Sequence, residues 1–106
     1  MKVDKRKALE WYYRAYKQGE AGAANNIATI YREWGDSKKM LWWFRRAASM
    51  GDLDTLLELG KRYETGSDVP RSRKKAEEHY RRVLLSPLAN EDDKARASER
   101  LAGLSQ

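Results

Sequence analysis

One pattern recurs three times along this chain without a gap. It runs Ala8-Leu9-Glu10-Trp11-Tyr12-Tyr13-Arg14-Ala15-Tyr16-Lys17-Gln18-Gly19, then from Met40 to Gly51, then from Ala76 to Pro87, at offsets of 32 and 36 residues. A second pattern lies between the copies: Ala24, Ile27, Ala28 and Tyr31 match Leu56, Leu59, Gly60 and Tyr63, again 32 residues on. Periods of this length mark modules that cannot bury an apolar face alone and must stack on their neighbours. Both patterns place apolar residues at i, i+3, i+4 and i+7, the spacing of an amphipathic helix. Nothing alternates as a half-buried strand does.

Punctuation supports a helical reading. Gly19 and Gly51 stand where a helix ends in a left-handed cap, and Pro87 takes that place in the third copy. Asp52 and Asn90 are suited to cap the helices that follow, and Glu91, Asp92 and Asp93 put negative charge on a first turn. The spacing predicts six helices, at about 4–18, 22–34, 37–50, 53–65, 72–86 and 91–103. Small residues recur at fixed places (Ala8, Ala15, Ala28, Ala47, Ala48, Gly60, Ala76), with Trp11-Tyr12, Trp43-Phe44 and His79-Tyr80 as their large partners. Small against large is how crossing helices approach closely, so packing accounts for the rings without a cofactor.

The chain has 106 residues, the size of one compact domain, read here as 1–106 with repeat units at about 4–35, 37–66 and 72–103. The absence of cysteine excludes a disulfide scaffold and thiolate metal sites. The single histidine, His79, falls at a packing position beside Tyr80. No glycine-rich phosphate loop, metal-ligand spacing or close pair of carboxylates suggests catalysis, so no enzyme activity, cofactor or metal is expected. The net charge is +6, and residues 1–53 hold most of the excess, with 11 Lys/Arg against 6 Asp/Glu. A basic balance favours acidic partners. No apolar run has the roughly 20 residues a membrane span needs. The start has signal-peptide charge without the apolar stretch behind it, so a cytoplasmic location is expected.

The residues Ala8-Leu9-Glu10-Trp11-Tyr12, Ala15 and Gly19, then Trp43-Phe44, Ala47-Ala48 and Gly51, then Leu59-Gly60, Tyr63, Gly66 and Val69-Pro70, with Ala76 and Tyr80, resemble the Sel-one-like repeat family, relatives of the tetratricopeptide repeats. The resemblance covers about residues 7–85. It implies a right-handed α-solenoid of about three stacked helical hairpins, an all-α fold with a concave face, in a protein that binds other proteins without catalysis. Four departures stand out. The loop after Tyr31 is four residues shorter than that after Tyr63, Trp34 aligns with Gly66, Trp42 stands where the first copy has Glu10, and the third copy carries His79 and Val83-Leu84. Residues 88–106 read as a terminal capping helix. The chain opens on a second-type helix with no first-type helix before it.

In the resembling family the first-type helices line the groove. The outward positions Asn25, Asn26, Thr29 and Arg32 of one such helix, and Leu57, Lys61 and Glu64 of the next, are therefore the candidate partner-binding residues, with Leu57 expected as an exposed apolar anchor. Tyr13, Tyr16, Trp34 and Trp42 form a candidate aromatic patch, though filling the space left by the shortened loop also explains Trp34 and Trp42. Helix 4–18 has an apolar arc of roughly 200°, wider than one neighbour covers. A partner, a second copy in a homodimer, or further repeats of a longer protein would each cover it. Basic clusters at Lys2/Lys5/Arg6/Lys7, Lys38/Lys39, Arg45/Arg46, Arg71/Arg73/Lys74/Lys75 and Arg81/Arg82 read as solvated faces, with nucleic-acid binding as the alternative. The expected function is an interaction module for an acidic protein, with uses such as a bacterial assembly adaptor or a toxin- or effector-neutralising partner.

Overall fold

The computed structural model describes residues 4–105. Met1, Lys2 (counted above in a basic cluster), Val3 and Gln106 lie outside the described residues. Six α-helices and no strand are found among the described residues: α1 (Lys5–Lys17), α2 (Ala21–Glu33), α3 (Ser37–Ser49), α4 (Leu53–Thr65), α5 (Arg73–Leu85) and α6 (Glu91–Leu104). The chain divides into two compact units between Asp52 and Leu53.

In the first unit, α2 packs on both α1 and α3. Its buried residues are Ala23, Ala24, Ile27, Ala28 and Ile30, and those of α3 are Met40, Phe44, Ala47 and Ala48. The helices end as their sequence dictates. Gly19 and Gly51 adopt φ of 93°, and the following N–H groups reach back five residues, Glu20 to the Ala15 carbonyl and Asp52 to that of Ala47. That turn needs a left-handed residue, which glycine supplies without a Cβ clash. The alignment of Trp34 with Gly66 does not survive as geometry. Trp34 closes α2, and Gly35 takes the left-handed place at φ 76°, matching Gly66. The shortened loop therefore moves the glycine one residue along rather than dispensing with it.

In the second unit, α4 packs on α5 and α5 on α6. The core is Leu56, Leu59, Tyr63, Ala76, Tyr80, Val83 and Ala97, with Val69 folded in from the loop. Gly60 lets the Tyr80 ring lie directly on the α4 backbone: a Cβ at Gly60 would fall 2.5 Å from Tyr80 Cε1. Asn90 caps α6 as its position suggested. Its side chain accepts from the Asp93 N–H at 2.8 Å while Asp93 accepts from the Asn90 N–H at 3.1 Å, a reciprocal pair satisfying two donors. Ser72 and Asp36 cap α5 and α3 in simpler form.

Candidate functional site

Each unit carries a groove beside its first-type helix. In the first unit, Lys5, Ala8 and Tyr12 of α1 face Asn26, Thr29, Ile30 and Glu33 of α2 across an open groove of about 540 Å³. Tyr12, Ala8 and Ile30 give it apolar walls. At one end Lys5 Nζ and Glu33 Oε2 form an ion pair at 2.9 Å; both side chains are substantially solvated, so the pair is weak and open to exchange with a ligand charge. The Thr29 hydroxyl donates to the Asn25 carbonyl at 3.1 Å. The Asn26 side chain is exposed at the groove, where its amide offers both donor and acceptor.

The second unit's groove, about 280 Å³, runs between Asp54, Leu57, Glu58 and Lys61 of α4 and Arg96, Glu99 and Arg100 of α6. Five of those side chains besides Lys61 are charged, with both signs present. Glu64 stands behind this groove. It accepts a hydrogen bond from the Tyr80 hydroxyl at 2.7 Å and lies 3.8 Å from Arg100 Nη1. Burial, and then this bond to a carboxylate, pushes the Tyr80 phenol well above its ordinary pKa.

These positions sort the expected partner-binding residues. Asn26 and Thr29 share one groove, and Leu57 and Lys61 share the other. Asn25 is half-buried, and Arg32 is exposed but does not line the first groove. Two expectations need correcting. Leu57 is not an exposed anchor: it is 5% exposed and belongs to the core, because α4 has residues of α6 across the groove as well as α5 on its other side. Glu64 is engaged inside the unit by Tyr80 and Arg100, so it fastens the fold before it meets any ligand. Sequence reasoning missed Arg96, Glu99 and Arg100 because α6 was read only as a cap. It marked α1 as a face that a partner could cover, through an arc that includes Tyr12, but did not pair Lys5, Ala8 and Tyr12 with Asn26 and Thr29 in one groove.

The candidate aromatic patch divides. Tyr13, Tyr16 and Trp43 pack between α1 and α3, with ring centroids 6.0 Å apart for Tyr13–Tyr16 and 4.9 Å for Tyr16–Trp43, and Trp42 adjoins Trp43 at 4.8 Å. Trp34 stands apart, edge-on to Tyr31. Neither Trp34 nor Trp42 fills an interior gap; they remain 45% and 57% exposed. The basic clusters are partly neutralised in the second unit, where Glu77 lies between Arg73 and Arg81. His79 is half-buried against Tyr63, its Nδ1 donating to the Lys75 carbonyl at 2.7 Å.

Models of known families decide what these stacked helices are. The Sel1 repeat model matches residues 1–20, 36–52 and 54–82, more than half of the chain. The chain belongs to the Sel1 repeat family. With six helices and no strand among the described residues, its fold class is the all-α helical-repeat solenoid. Sel1 repeats generally mediate protein–protein interaction and are typically non-catalytic. No curated protein matches the chain. No helix among the described residues is long and apolar enough to cross a membrane.

Proposed function

We propose that this Sel1 repeat chain is a non-catalytic adaptor that holds a partner protein at the outward positions of its first-type helices. The observation that supports this most is the coincidence of prediction and geometry at Asn26, Thr29 and Lys61. Residues singled out from the helical wheel line open grooves, the first with apolar walls beside its polar groups and the second lined almost wholly by charged side chains. The first suits a peptide segment, whose backbone needs amide and hydroxyl partners and whose side chains need apolar walls. The net charge of +6 speeds encounter with an acidic protein and rejects basic ones. A rigid scaffold in a bacterial assembly, or a small partner that neutralises a toxin or effector, both use this chemistry in a cytoplasmic setting.

The experiment is affinity capture from lysate at about 0.15 M salt, where surface charges still act over about 8 Å. It compares the wild type with the Arg32→Glu/Lys61→Glu double variant, with and without nuclease. The expected result is a discrete protein band that survives nuclease and disappears in the double variant. Retained material that vanishes on nuclease treatment would instead assign the basic surface to nucleic acid.

A further inference from the structure

Helix α3 differs from the other two second-type helices at one outward position. The first and third copies of the pattern carry a glutamate there, Glu10 and Glu78, where the second carries Trp42. One residue earlier, the third copy has Glu77, which lies within 4 Å of both Arg73 and Arg81, whereas the second has Leu41. As a result α3 bears Lys38, Lys39, Arg45 and Arg46 and no carboxylate of its own. On a helical wheel at about 100° per residue these four cations lie within some 60° of Trp42, two on either side. None of the four forms an ion pair among the described residues. The nearest carboxylate in sequence, Asp36, is occupied in capping the helix at the Lys39 N–H.

We infer that Trp42 and its collar of cations form a second interaction surface, which takes an acidic segment of a partner protein with an apolar side chain seated on the indole. The surface continues onto α1. Arg46 lies 5.7 Å from the Tyr16 ring centre and donates its Nε–H to the Tyr16 hydroxyl at 2.7 Å, and Lys17 lies 4.9 Å from the Tyr13 ring centre. Lys39 is held at 5.3 Å from the Tyr31 ring centre. Cations placed over rings are oriented before a ligand arrives, which lowers the ordering cost of binding. Guanidinium forks then match carboxylates, and an exposed tryptophan ringed by charge is the composition of an interface hot spot.

Charge alone would serve a nucleic acid equally well, but the rings do not. Binding a single strand relies on successive bases stacking on open ring faces. Here Tyr13–Trp43, Tyr16–Trp43 and Trp42–Trp43 meet at 79°, 83° and 74°, edge to face. The Tyr13 and Tyr16 faces already carry Lys17 and Arg46. Only Trp42 is left as a platform, enough to seat one apolar side chain and too little for a run of bases. A second copy of this chain would bring an equally positive collar against the first.

The test uses fluorescence anisotropy with a labelled, Glu/Asp-rich peptide bearing one central phenylalanine. Its controls are the same peptide with alanine at that place and a labelled oligo-dT of equal charge. Trp42→Glu installs the residue that the other copies carry. Because it also removes the ring contact with Trp43, its thermal midpoint should fall slightly, while its helical circular dichroism at the assay temperature stays that of the wild type. The wild type should bind the phenylalanine peptide more tightly than either control, and Trp42→Glu should weaken it by about tenfold or more. Asn26→Ala/Thr29→Ala, at the wall of the first groove, keeps the net charge and should leave this binding intact, which separates the surface from the grooves of the adaptor reading. Undiminished peptide binding by Trp42→Glu would overturn the inference. So would tighter binding of oligo-dT than of peptide, or self-association of the wild type that Trp42→Glu abolishes.

Discussion

A methyl group on Gly60 would enter the Tyr80 ring, whose nearest carbon lies 2.5 Å from the Cβ position. Tyr80 is fully buried and its hydroxyl is tied to Glu64, so the ring has nowhere to retreat. Replacing glycine in a helix ordinarily gains up to about 1 kcal/mol, but overpacking a closed core costs about 1–3 kcal/mol. Gly60→Ala should therefore lower unfolding stability by about 1–2 kcal/mol in a urea titration. His79 supplies a second residue-level expectation. Burial, the largest influence, pushes its imidazole below the ordinary pKa, with Arg82 and Lys75 acting in the same direction against the backbone bond and Glu78. The folded chain thus holds the proton less readily than the unfolded one. Stability is complete above the unfolded value of about 6.5 and declines as pH falls through it. The thermal midpoint should drop between about pH 7 and pH 5.5, above the range of ordinary carboxylates. His79→Trp, the residue at the same place in the other copies, should flatten that decline.

Among the helices, α1 is the odd member: it has no fully buried residue, while α4 has six. Its Trp11 is 69% exposed, whereas the corresponding Trp43 is enclosed by Tyr13, Tyr16 and Trp42. The wide apolar arc read from the sequence is thus only partly covered: Tyr16 packs on Trp43, while Trp11 and Tyr13 stay exposed. Little buried area means a low cost of local opening. In native-state hydrogen exchange, α1 amides should lose protection before those of α4, and equal protection would contradict this ordering. Element positions were legible in the sequence because apolar spacing, glycine stops and the Asn90 cap all act locally. The exposure of Leu57 was misjudged because it depends on α6, a helix whose sequence does not repeat the pattern. Likewise, no wheel drawn for α4 alone shows that Glu64 is already bonded to Tyr80 and Arg100. Trp34 and Trp42 were legible as departures from the repeat, but whether a departure points inward or outward is a matter of neighbours.

Across the whole chain, charge follows helix type. The second-type helices α1, α3 and α5 hold most of the lysines and arginines, and carboxylates gather on α4 and α6. The excess of +6 is thus concentrated on particular faces, where it attracts acidic ligands and is screened by salt. Core positions behave oppositely: small residues and rings recur at 32- and 36-residue offsets whatever the surface carries. This separation has a consequence seen at Trp42. Swapping a glutamate for an indole on the outside leaves Phe44 and Ala47 buried as their counterparts Tyr80 and Val83 are. An outward letter of this chain can thus be rewritten without disturbing the inward letters that spell its architecture.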